Sequence, residues 1–199
     1  LSFISRPTKL QLQLQLQSAD SVWHNSYELW VYPHDVPAVE AKNIYITDSL
    51  DAKALRTLKD GGKVLITAGG KVTLGSDVSH HYLPVFWNTS WFKMRPPHTT
   101  GAYIQKDHPV FADFPTDDWQ NLNWWELVNR TQVMNLMEFP ADFQPIVQPI
   151  DTWHVSRKLA LLLEVNVGRG KLLMTTMDIS RDLNHRPVAR QLRYSILRY

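Results

Sequence analysis

From Lys9 to Gln17 the chain reads KLQLQLQLQ, with Leu10, Leu12, Leu14 and Leu16 alternating strictly with Gln11, Gln13, Gln15 and Gln17. Successive side chains of a β-strand point to opposite faces, so this stretch has one apolar and one wet face. Such period-two alternation belongs to antiparallel sheets. Beyond the polar turn SADSVWHN, the segment SYELWVYP supplies a second strand, rich in β-formers and stopped by Pro33. A lone hairpin is marginal in water. Residues 1–33 are therefore expected to end a β-sandwich or to dock on the remainder of the chain.

The pattern changes after Lys42, and residues 34–199 read as an α/β domain. NIYIT is a short apolar strand. DSLDAKALRTLKDGG carries Leu50, Ala54, Leu55 and Leu58 at helical spacing, with Asp48 or Ser49 as the expected cap and Gly61 as the stop. KVLITAGG is a second buried strand with glycines at its carboxyl end, which completes a βαβ unit. Residues 71–120 are irregular, rich in Pro, His and Trp, with few clear elements, a length of loop that is usually functional or hides short elements. PIVQPI is another strand. LALLLEVNVGRGKLLMTTM holds two strands joined at Gly168-Arg169-Gly170, a gap too short for a parallel crossover and so a hairpin. RPVARQLRYSILRY closes the chain as an amphipathic helix, with Pro187 in its first turn and Val188, Leu192, Ile196 and Tyr199 on one face.

Composition narrows the classes of function. The 199 residues suffice for one well-buried domain, and 44% hydrophobic with 20% charged residues is ordinary for a globular protein. The formal charge is +2 with no basic block, so nucleic acid is not an expected partner. LALLLEV and KLLMTTM are far short of the roughly 20 apolar residues of a membrane helix, so no membrane partner is expected either. The absence of cysteine removes disulfides, thiolate metal sites and cysteine nucleophiles. A chain beginning with Leu1 reads as a processed or excised piece.

The strings GGKVLITAGG, YLPVFWNTSWF, HPVFADFPTDDWQNLNWWELV and PIVQPIDTWHVSRKLALLLEVNVGRGKLLMTTMDISRDLNHRPVARQL resemble the C-terminal region of Bacteroidetes glycoside hydrolases of family 2, which are β-galactosidase-like enzymes. The resemblance covers Lys9 to Tyr199. It implies that KLQLQLQLQ…NSYELWVYP is the end of a preceding β-sandwich. It further implies that the rest is a class I glutamine-amidotransferase-like, flavodoxin-like domain, with an HPVF-type turn and a GRGK-type hairpin in corresponding places. A periplasmic or secreted location is implied as well. The catalytic glutamates of those hydrolases lie on a separate barrel, and no motif here matches either of them. The amidotransferase cysteine is also missing; Gly69, Gly70 and Lys71 follow the strand instead.

The candidate sites are carboxylates, histidines and tryptophans. A glycosidase needs two carboxylates roughly 5–10 Å apart. Asp117 and Asp118 are adjacent and diverge, and are expected to cap a helix over Asn121 to Val128. Glu126 lies in that helix, and Glu164 is expected against Arg157 or Arg169. Asp151 and Asp178 each follow a strand, where open α/β sheets hold ligands. His80, His81, His98, His108, His154 and His185 show no HxxxH or HxH spacing, so no metal is expected. Ser76, Ser79 and Ser90 lie in no GxSxG context. AGGKVTLG lacks the order of a phosphate loop, and its glycines are explained by a tight turn, so no cofactor is expected. The sequons at Asn88 and Asn129 are ascribed to chance.

Eight tryptophans require an account. Trp124 and Trp125 are consecutive on a helix and point about 100° apart, so only one can face the core. Trp87, Trp91, Trp119 and Trp153 flank strand ends. These residues divide among core packing, contacts with a hydrolase and sugar stacking.

The expected fold is therefore a three-layer α/β sandwich with a mostly parallel sheet and an antiparallel hairpin. The expected function is a non-catalytic accessory domain of a family 2 glycoside hydrolase, packing on its remaining domains or self-associating. One alternative is a carbohydrate-binding module that takes an oligosaccharide, with Trp119, Trp125 and Trp153 as stacking plates and Asp151 or Asp178 accepting hydroxyl hydrogen bonds. The other is a cysteine-free hydrolase using Asp151, His154 and Asp178 as acid–base groups, with a histidine within about 3 Å of a carboxylate in a pocket.

Overall fold

The computed structural model describes residues 4–41, 43–82 and 99–199. Trp87, Trp91, Ser90, His98 and the sequon at Asn88 lie outside the described residues. In chain order come β1 (Thr8–Gln17), β2 (Val22–Val31), β3 (Ile44–Thr47), α1 (Ala52–Lys59), β4 (Lys63–Thr67), β5 (Ser79–His80) and β6 (Ala102–Ile104). They are followed by the short helix α2 (Trp125–Val128), β7 (Thr131–Gln132), β8 (Met134–Asn135), β9 (Val147–Pro149) and β10 (Leu159–Ala160). The chain ends with β11 (Leu162–Val167), β12 (Gly170–Thr175) and α3 (Pro187–Arg198). Single 3-10 turns occur at Pro109–Phe111 and Leu122–Trp124.

The central sheet has the order β3-β4-β12-β11-β9-β6. Its first three strands run parallel, β3 with β4 and β4 with β12. The other three pairings, β12 with β11, β11 with β9 and β9 with β6, are antiparallel. The remaining described strands form two-stranded antiparallel sheets: β1 with β2, β8 with β10 and β5 with β7. The expectation of a mostly parallel, flavodoxin- or amidotransferase-like three-layer sandwich is thus corrected to a strand-rich mixed fold. The reason is a shortage of crossover helices. A parallel neighbour needs a connection of a dozen or more residues, usually a helix. Between β4 and β11 the described chain offers only 3-10 turns and the four-residue α2. The later strands therefore enter by direct antiparallel pairing.

Where the crossover exists, the local chemistry is simple. The side chain of Asp51, one turn later than expected, caps α1 by accepting from the Ala54 amide at 2.7 Å. Asp48 forms an ion pair with Lys71 instead. Gly61, at φ 87°, ends the helix as the sequence suggests. Ala54 and Leu58 of α1 are buried against Val64, Ile66 and Leu172, whereas Leu50 and Leu55 face solvent. Alternation along the strands turns Leu65 and Leu173 to the other face, where they meet Ala189, Leu192 and Ile196 of α3. The Ser195 hydroxyl of α3 donates to the Val110 carbonyl at 2.6 Å and accepts from the Asp113 amide at 3.1 Å, fixing the HPVF turn to the helix. Phe111 and Phe114 of that segment pack edge-on against the fully buried Trp124, at 5.8 and 5.2 Å between ring centres. Phe111, Phe114 and Trp124 thus plug the core, while Trp119 and Trp125 of the same segment stay exposed.

β1 and β2 form a ribbon in full register, Leu10 opposite Leu29, Leu12 opposite Tyr27 and Leu16 opposite Trp23. Its base is tied down. Lys9 bridges Glu28 at 2.7 Å and Asp117 at 2.8 Å, and Tyr32 stacks on Phe114 at 6.1 Å. Beyond the base the leucine face is bare: Leu12, Leu14, Leu16, Trp23, Tyr27 and Leu29 are each between 42% and 68% exposed.

Candidate functional site

The expected stacking plates are exposed but scattered over different segments. Trp119 leans edge-on against Tyr103 at the end of the sheet, 5.6 Å between centres. Trp125 opens α2, and its neighbour Trp124 takes the core position and donates from Nε1 to Thr116 Oγ1 at 2.8 Å. Trp153 lies in the turn after β9, its ring 5.6 Å from that of His154. Asp117 and Asp118 do not cap the following helix; they pair with Lys9 and with Lys106, the latter at 2.8 Å. Glu126 meets Arg186 at 2.5 Å, and Glu164 meets Lys171 at 3.3 Å rather than an arginine.

β9 and β12 run in the same direction with β11 between them, so Asp151 and Asp178 emerge from one end of the sheet. Each is already engaged. Asp151 is buried and accepts from Arg157 Nε at 2.8 Å, Nη2 at 3.1 Å and the Arg157 amide at 2.9 Å. Burial pushes its pKa up, but the Arg157 guanidinium and the amides outweigh that and hold the carboxyl below its ordinary value. Asp178 is likewise raised by burial and lowered by more, through the Ser180 and Arg181 amides and then the Arg181 and Arg186 guanidiniums. Its Oδ2 lies 2.7 Å from Arg181 Nε and 3.1 Å from Arg186 Nη1. Both are ionised structural acceptors. Two histidines paired with carboxylates, His34 with Asp35 and His185 with Asp182, each at 2.8 Å, lie on the open surface.

Two groupings escaped the sequence. His80 is completely buried, with Nε2 at 2.5 Å from Gln120 Oε1 and Nδ1 at 2.5 Å from Thr99 Oγ1. This arrangement fits a neutral ring donating to the glutamine and accepting from the threonine. Burial lowers its pKa to about 4. The second grouping is a cleft of about 420 Å³ beyond the carboxyl ends of β4 and β12, floored by Gly69 and Gly70 and walled by Arg130, Gln132, Thr176 and Asp178. Glycines after a strand and an acid after another were legible hints of this position. Arg130, which sits at φ 63°, carried no signal. Among the described residues, no group of three or more His, Asp or Glu side chains could hold a metal, and no helix is long and apolar enough to cross a membrane.

Fold and site together define a mixed-sheet α/β domain with an amphipathic ribbon at one side and a polar cleft at the carboxyl ends of its parallel strands. By sequence the chain belongs to the family described as Domain of unknown function (DUF8487), whose model matches residues 45–199 and leaves β1 and β2 outside the match. No curated protein matches. Among solved structures, a cytoplasmic protein from Salmonella typhimurium aligns over 96% of this chain and 95% of its own, at 11% identity and a TM-score of 0.31. The periplasmic or secreted location expected from the family 2 resemblance is withdrawn: nothing in these comparisons supports it, and the Salmonella structure is described as cytoplasmic. A likeness that slight assigns this chain to no compartment.

Proposed function

We propose that the chain is a non-catalytic accessory module of a glycoside hydrolase assembly, acting through the leucine face of the β1–β2 ribbon. The observation that carries this reading is the bare face itself: six large apolar side chains on ten-residue strands with nothing over them among the described residues. Contiguous exposed apolar surface marks an interaction site. A two-stranded sheet needs a covered face to be independently stable. The state of the two acids supports the non-catalytic part. Asp151 and Asp178 are held ionised by arginines, whereas glycosidic chemistry needs one acid with a raised pKa. The link to a hydrolase rests on the resemblance of the strings from Gly61 to Leu192 to family 2 enzymes.

A face built to be covered associates when its cover is missing. Sedimentation velocity of the isolated chain is expected to show concentration-dependent self-association, abolished in a variant carrying Leu12→Gln, Leu14→Gln and Leu16→Gln. The same chain is expected to leave a chromogenic β-galactoside unhydrolysed. A wild-type chain that stays monomeric up to its solubility limit, or that turns the galactoside over, would sink the reading.

A further inference from the structure

The cleft beyond β4 and β12 carries features that neither packing nor the ribbon explains. Thr176 is 3% exposed, yet its Oγ1 has no hydrogen-bond partner among the described residues. The same holds for Gln132 Oε1, although the amide nitrogen of that side chain donates to the Val72 carbonyl at 2.5 Å. A buried polar atom without a partner costs the fold its full desolvation, so two that line one cleft are a standing penalty. Arg130 adds a third. Its φ of 63° is the left-handed region that a side chain such as arginine rarely adopts. No hydrogen bond or ion pair of its guanidinium occurs among the described residues, and it lines the same cleft. Backbone strain of this kind persists at ligand clamps.

The chemistry of the walls selects the ligand. The Asp178 and Glu126 carboxylates are matched by Arg181 and Arg186, which leaves the positive charge of Arg130 uncompensated. The cleft therefore favours an anion. Gln132 Oε1 can only accept, so the ligand must also donate, and the Thr176 hydroxyl can do either. Fully ionised inorganic anions have no such donor, and about 420 Å³ exceeds what they fill. The glycine floor is bare of side chains: Gly69 is required by packing, since a Cβ there would meet the Thr176 carbonyl oxygen at 3.0 Å, whereas at Gly70, with φ 74°, nothing lies within 4 Å of the Cβ position and the space stays open to a ligand.

We propose that this cleft binds a small polyhydroxylated anion, a monosaccharide bearing a carboxylate or a phosphate, with Arg130 on the charged group and Thr176 and Gln132 turned to its hydroxyls. This site is separate from the ribbon, so its failure leaves the accessory reading standing, and the reverse also holds.

Isothermal titration of the chain with galacturonate, galactose 6-phosphate, galactose and inorganic phosphate tests the assignment. One or both charged sugars are expected to bind one per chain, at least tenfold more tightly than galactose or phosphate. Which of the two binds identifies the anionic group. Thr176→Val, which keeps the shape and removes the hydroxyl, and Arg130→Asn, which tolerates the positive φ, are each expected to weaken binding at least tenfold. Circular dichroism checks that both variants are folded, and Arg130 is exposed, so its substitution leaves the core intact. The proposal is overturned if neither charged sugar binds, if phosphate alone binds as tightly, or if a folded Arg130→Asn variant keeps full affinity.

Discussion

Among the described residues, two antiparallel hairpins have nearly opposite fates. β1–β2 pairs ten residues on ten in unbroken register, and from Gln11 to Leu29 every side chain is exposed. β11–β12 pairs only six on six around Gly168, yet Leu162, Leu163, Leu172, Leu173 and Thr175 are all buried. The longer hairpin has more ladder hydrogen bonds and less support. A backbone hydrogen bond exchanged with water is worth only about 1 kcal/mol net, whereas burying a leucine side chain contributes roughly 2 kcal/mol. The difference between the hairpins is coverage. β12 has β4 on one side, β11 on the other and helices α1 and α3 over its two faces. β1 has β2 alone.

The sharpest way to break this comparison is to make one substitution in both hairpins. Leu162→Ala removes a side chain that is 0% exposed and joined to both β12 and β9. It is expected to lower stability by about 3 kcal/mol, within the roughly 2–5 kcal/mol range for buried leucine truncations. Urea unfolding followed by circular dichroism reads it. A loss below about 1 kcal/mol would mean that β11 is not part of the cooperative core.

A second effect, comparable but dependent on pH, belongs to the covered side. His80 in β5 has a folded pKa of about 4 against an ordinary 6.5, because burial disfavours its charged form. The unfolded chain therefore binds the proton more readily between those values, and stability rises with pH across that window. It is fully present above about pH 6.5 and is lost as the pH falls towards 4, by roughly 3 kcal/mol over the whole interval. Asp151 and Asp178, held below their ordinary values, add their own losses only at the acid end of this window. Unfolding midpoints at pH 7.5 and 5 are expected to differ in the wild type and to converge in His80→Gln. An unchanged slope in that variant would assign the acid sensitivity elsewhere.

The two hairpins were also unequally legible. KLQLQLQLQ announces its strand because its period is strict, and GRG announces the tight β11–β12 connection because no crossover fits in it. Neither pattern reports what lies on top. β5, β7, β8 and β10 are two residues long each, too short for any periodicity to register. The sheet was expected to be mostly parallel because one βαβ unit was legible and the family resemblance implied a flavodoxin-like fold around it. The antiparallel half depends on which strands meet across tens of residues, as in β6 with β9. The cleft was half visible: Gly69, Gly70 and Asp178 follow strands, but the orphaned oxygens of Thr176 and Gln132 exist only once the walls are assembled. Trp124 and Trp125 were separated by helical geometry alone, and one is indeed in the core and the other half exposed.

The smallest expected effect tests the other half of the comparison. Leu14 lies opposite Asn25 on the bare face and is 51% exposed. Leu14→Ala removes apolar surface that water already touches, so the folded and unfolded states lose similar contacts and the change in monomer stability is expected to stay within about 0.5 kcal/mol. Alanine is a weaker strand former than leucine, so the residual effect is destabilising and small. The measurement is the same urea titration, at a concentration where sedimentation shows only monomer. A loss near that of Leu162→Ala would mean that the leucine face is covered within the monomer and that the ribbon is part of the core. A negligible loss, together with weakened self-association, places the energetic role of these leucines in contacts between molecules and leaves the covered hairpin to hold the fold.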